Sequence, residues 1–180
     1  MVPPVRTPRA LDVTPVVRRQ LAQLRRLQLR PGEAPELEAE RVSAVEAALG
    51  CVFADDVLAV MATDVDELRE QSLIDLARVV RWTQEARRRG CPDDLVAIGR
   101  HPDGIAFYCV NSRATEDEPV GLHDFDNLDH HVSVQPLADW LGSHVEARRD
   151  FLAGGDEDQR ALAEARIAES DVDVFRPMLV

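Results

Sequence analysis

Apolar residues recur along the chain in two rhythms, a helical one first and a strand-like one later. From Val16 to Leu29, Val17, Leu21 and Leu24 share one side with arginines largely opposite, which predicts an amphipathic helix ended by Pro31-Gly32. A second helix is predicted over 35–49. Pro35 suits a first helical position, Glu36, Glu38 and Glu40 suit the positive end of the dipole, and Val42, Val45 and Leu49 form a stripe before Gly50. A short helix follows over 54–62, and 64–71 is ambiguous. Ser72-Leu73-Ile74-Asp75 has the form of a capping box, Leu76, Val79, Val80 and Thr83 continue a stripe, and Arg87-Arg88-Arg89-Gly90 with Pro92 stops it. This predicts a helix over 73–89.

The period then changes. Leu95–Gly99 and Ile105–Val110 are short apolar runs around Asp103-Gly104 and predict a hairpin. In the second run Ile105, Phe107 and Cys109 alternate with Ala106, Tyr108 and Val110, so both faces are apolar and a central, doubly covered strand is expected. A polar loop leads to a third strand over 120–125 and another to His131, after which Pro136 opens a helix with Leu137, Trp140, Leu141 and Val145. Gly154-Gly155 breaks it, and a short helix is predicted over 159–168. The expected fold class is therefore α+β, a central antiparallel sheet flanked by helices in a single domain. Its expected parts are a basic amphipathic extension (1–34), an α+β body (35–150) and a C-terminal extension with a short helix (151–180).

Length agrees with one domain: 180 residues, 45% of them apolar, can bury one ordinary core and exclude wholesale disorder. No apolar run approaches the roughly 20 residues of a membrane span, and the first residues lack the apolar block of a secretory signal, so a cytoplasmic chain without a membrane partner is expected. The net charge of −12 argues against nucleic acid as a direct partner. That charge is uneven. Residues 1–30 hold seven arginines and one acid, a net +6, whereas residues 31–180 hold fourteen arginines against 32 acids, a net −18. A head that can neutralise its own body is expected to fold back on it. Cys51, Cys91 and Cys109 show no Cys-x-x-Cys spacing and are expected to be reduced and mostly buried.

Three stretches in this order resemble the SUKH superfamily, which includes bacterial immunity proteins of toxin systems and yeast regulators of cell-wall synthesis. They are Val45–Val60, with Leu49-Gly50 and Asp55-Asp56 before a second helix; Leu95–Val110, with Ile98-Gly99, a glycine turn and a central strand; and Pro119–Asn127, followed by Pro136–Leu141 with its aromatic. The resemblance spans about 36–147. It implies an α+β binding protein and no enzyme: a non-enzymatic immunity protein that neutralises a cognate bacterial toxin, or a regulatory scaffold.

The densest polar cluster is His123-Asp124-Phe125-Asp126-Asn127-Leu128-Asp129-His130-His131, which could ligate a divalent ion and is the best case for a metal-dependent hydrolase. It lacks a recognisable ligand spacing and suits a solvated loop, so no metal and no cofactor are expected. No catalytic residue is assigned, since no nucleophile elbow, phosphate-cradling loop or dinucleotide fingerprint is present. If the toxin is a nuclease, its groove is basic and an acidic surface can imitate the phosphate line. Glu116, Asp117, Glu118, Asp124, Asp126 and Asp129 are the expected contacts.

Overall fold

A computed structural model describes residues 6–27, 36–63, 72–101, 106–124, 132–154, 156–168 and 176–180. The expected α+β fold is present as helices packed on both faces of a five-stranded sheet, with a second small sheet beside it. The large sheet runs in the order β3 (Ser72–Leu73), β4 (Leu95–Arg100), β5 (Ala106–Asn111), β6 (Pro119–Asp124), β7 (Val132–Pro136), with every neighbouring pair antiparallel. The central strand is β5. Phe107, Tyr108 and Cys109 are all buried, so the two-sided cover expected from the sequence is present. Phe107 meets Trp82 of α4 (Val79–Arg88) at 5.4 Å between ring centroids, while Tyr108 meets Trp140 of α5 (Leu137–Ala153) at 5.4 Å. The helices α4 and α5 thus cover opposite faces.

Outside α5 pack α1 (Pro15–Leu27) and α6 (Glu157–Ala168), and α2 (Ala39–Leu49) packs against α4. In α1, Val17, Leu21, Leu24 and Leu27 lie at helical spacing and are fully buried, so this helix contributes to the same core as the sheet. Its N-terminus is fixed by α3 (Asp55–Ala62). Thr14 donates through its N–H to Asp56 Oδ1 at 2.8 Å and through its hydroxyl to Oδ2 at 2.9 Å. The basic head folds back as expected: Arg6 pairs with buried Glu46 at 2.5 Å and Arg9 with Asp55 at 2.5 Å. Asp55 and Asp56 stand in the first turn of α3, yet no side chain caps that helix. Their carboxylates hold the N-terminal segment instead of capping the helix.

Four sequence expectations are corrected. Glu36-Leu37 is β2, paired in parallel with β8 (Met178–Leu179), so the second helix begins at Ala39; β1 (Arg9–Ala10) lies on the other side of β8, antiparallel to it. Ser72-Leu73 is β3, and Ile74 N–H donates to the Ile98 carbonyl at 2.9 Å, so this stretch joins the sheet and the fourth helix begins only at Val79. Val132–Pro136 is a fifth strand that ends where a helix was expected to open. The C-terminus, given no element in the sequence, closes the small sheet as β8. Among the described residues no helix is long and apolar enough to cross a membrane.

Candidate functional site

On the face of the sheet that α4 covers, Phe107 stands opposite His123 and Cys109 opposite Gly121. Cys109 and His123 are therefore diagonal neighbours on one face, and glycine places no side chain beside the thiol. Cys91 reaches the same place from the turn after α4, where its N–H donates to the Ala86 carbonyl at 3.0 Å and closes the helix. The two sulfurs and an imidazole nitrogen all lie within 4.8 Å of one another. All three residues are buried, at 5%, 0% and 1% exposure for Cys91, Cys109 and His123.

The electrostatics divide the two thiols. A hydrogen bond from the Cys109 thiol pulls the Cys91 thiol down to about 5 against the effect of burial, with help from His123 and the Arg87 cation. Cys109 retains the proton in that bond and is pushed up by it and by burial. The Arg87 guanidinium is held in place by backbone carbonyls, donating to Leu49 at 2.8 Å, to Asp93, and to Leu95 at 3.4 Å. Burial pushes the half-exposed Cys51 thiol up despite the same arginine. The arrangement offers two sulfurs and one imidazole to a small ion. Its three residues are buried, which suits an enclosed ion better than attack on a substrate from solvent. The imidazole beside Cys109 is that of His123, while His101 packs against Tyr108 at 6.1 Å between centroids.

The 123–131 cluster, weighed above as a possible ligand set, does not act as a unit at its start. His123 and Asp124 are consecutive in β6 and point to opposite faces of the sheet. Asp126 and Asp129, with His130 and His131, lie outside the described residues. The other expected contacts divide along β6. Glu116, Asp117 and Glu118 precede its first residue, and Asp124 is its last, roughly 17 Å away at the rise of a strand.

The first group also has work within the fold. The carbonyls of Glu118 and Glu116 accept from Leu137 N–H at 2.9 Å and Ala138 N–H at 3.0 Å, occupying two donors at the start of α5. Glu116 is half-buried, and its Oε2 is enclosed without a hydrogen-bond partner. Burial pushes the Asp56 carboxyl up despite the bonds from Thr14, and the charges of Glu116 and Asp55 add to the rise. Asp117 and Glu118 are exposed.

A groove of about 360 Å³ is lined by α4 together with Arg100 of β4 and Phe107 of β5, where the helix meets the sheet. Arg81 and Arg100 stand 4.6 and 5.0 Å from the centre of the half-buried Trp82 ring, and Arg88, Arg89 and Glu85 complete the wall. Glu85 pairs with Arg88 and Arg89 at 2.7 Å each. Four arginines against one acid make this a basic exception on an acidic body. Sequence reasoning did not single it out. Comparison with protein-family models and with curated proteins finds no match to the chain.

Proposed function

We propose that the chain is a non-enzymatic, cytoplasmic immunity protein of SUKH type that binds and neutralises a cognate toxin, a nuclease with a basic groove being the favoured target. The order of elements carries this reading: two helices ending in Leu49-Gly50 and Ala62, a meander around β5, and a closing helix with Trp140, as the resemblance implies. The net −18 of residues 31–180 supports a basic partner. Asp117, Glu118 and Asp124 are the contacts this proposal favours, since Glu116 turns partly inward beside Asp56. Their separation along β6 is compatible with one partner, because an interface of about 800 Å² per side is broad enough to reach both ends.

Surface carboxylates of this kind speed encounter more than they tighten the complex. Neutralising Asp117, Glu118 and Asp124 together should lower the association rate and flatten its salt dependence, with a smaller change in dissociation. The experiment is co-expression with the product of the neighbouring toxin gene, followed by binding kinetics on the purified pair. Protection that survives the triple substitution with unchanged kinetics refutes a contact through these three carboxylates. Failure to protect against any neighbouring toxin removes the immunity reading.

The basic groove favours a second reading, a regulatory scaffold of the same superfamily that holds an acidic segment between Arg81 and Arg100, with Trp82 as its anchor. Several unrelated acidic partners and no toxin would support it. The remaining alternative, a metal-dependent hydrolase on the 123–131 loop, is weakened by the burial of His123 away from Asp124.

A further inference from the structure

We propose that Cys91, Cys109 and His123 bind one zinc ion that ties the turn after α4 to the strands β5 and β6. Three donors arrive from three separate elements and converge within 4.8 Å inside the core. A tetrahedral zinc with Zn–S near 2.3 Å and Zn–N near 2.0–2.1 Å needs its ligand atoms roughly 3.5–3.8 Å apart, so closing the set takes shifts of about 1 Å or less. Two thiolates and one imidazole suit zinc and disfavour calcium or magnesium, which want oxygen donors that the set lacks.

Gly121 leaves the flank of Cys109 clear of a side chain, and α4 with its closing turn covers the face. Zinc enters as the divalent ion, two S–H bonds break as two Zn–S bonds form, and two protons leave to solvent. The fourth position is left for water. No oxidant or reductant takes part.

The site escapes the expectation of no metal because that expectation rested on the 123–131 loop and on the lack of a paired-cysteine motif. Only His123 is common to the two sets.

The test uses the full chain, purified with a reductant and a chelator, then given zinc chloride alone and passed through a desalting column. The expected result is one zinc per chain by elemental analysis, with a raised thermal midpoint. Cys91→Ser and His123→Gln should each abolish stoichiometric retention. Because buried variants can lose their fold, cobalt(II) is added to the unaltered protein as an independent measurement. Thiolate-to-cobalt charge transfer in the near ultraviolet, with the visible bands of a tetrahedral ion, is expected. Absence of both, zinc retention unchanged in a folded Cys91→Ser or His123→Gln variant, or a Cys91–Cys109 disulfide in place of metal uptake would overturn the proposal.

Discussion

His144 is a base held where its charged form is least welcome. It is 2% exposed on α5, with Nδ1–H donating to the Trp140 carbonyl at 2.9 Å and Nε2 enclosed without a partner. Burial lowers its pKa, and the bond to Trp140 only partly offsets this. Above the ordinary histidine value near 6.5 the ring is neutral folded or unfolded, and nothing is lost. Below it the unfolded chain takes a proton that the native ring resists, so stability falls as pH drops through that window. The urea midpoint should therefore fall less between about pH 7 and pH 5 in His144→Gln than in the parent chain. Equal losses would show that the native ring charges freely. His144 lies on the stripe with Leu137, Trp140, Leu141 and Val145, so its burial was legible as a helix position. The Cys91–Cys109–His123 cluster was not, because its members meet only through the β5–β6 register and the turn after α4.

Elements with a clear period were read correctly at the scale of the chain. The β4–β5 hairpin, β6 and α5 carry their patterns within a few residues. The elements that escaped are short or depend on distant partners. Two-residue strands such as β2 and β8 have no period to detect, and their pairing joins residues from opposite ends of the sequence. At Ser72–Ile74 the sheet edge offered by β4 outcompetes a local capping signal, which is tertiary pairing overriding propensity. Gly99 shows how closely such elements meet. A Cβ there would lie 2.9 and 3.0 Å from the Trp140 indole of α5 and 3.3 Å from the Tyr108 ring of β5. All three neighbours are packed ring atoms, so Gly99→Ala should cost about 1–3 kcal/mol as overpacking. Urea unfolding checks this, and the loss should shrink when Trp140→Leu is already present, as expected of residues in contact. A full loss in both backgrounds would place the strain elsewhere.

The charge asymmetry of the whole chain has two physical explanations that stability measurements separate. A basic head reserved for an outside partner would leave the acidic body indifferent to its loss, whereas a docked head would be part of the fold. Arg6 donates to Glu46 through Nε at 3.2 Å and through Nη2 at 2.5 Å, and its Nη2 also donates to the Phe53 carbonyl at 2.7 Å. Glu46 is fully buried and also accepts from Phe53 N–H at 2.7 Å, so one carboxylate joins the head, α2 and the lead into α3. Removing the cation leaves a buried carboxylate with a single backbone donor. Arg6→Ala should therefore destabilise by about 3–5 kcal/mol, the usual cost of breaking a buried pair from one side. Arg9 is different, because its side chain is 41% exposed and its partner Asp55 retains the Asp12 N–H. Arg9→Ala should cost about 1 kcal/mol or less, and less still in high salt. Glu46→Gln added to Arg6→Ala should recover much of the loss, since the neutral amide oxygen can still accept from Phe53 N–H while the uncompensated charge is gone. These chains are compared by urea unfolding at neutral pH. An Arg6→Ala midpoint equal to that of the parent would mean that the Arg6–Glu46 pair does not dock the head onto the body.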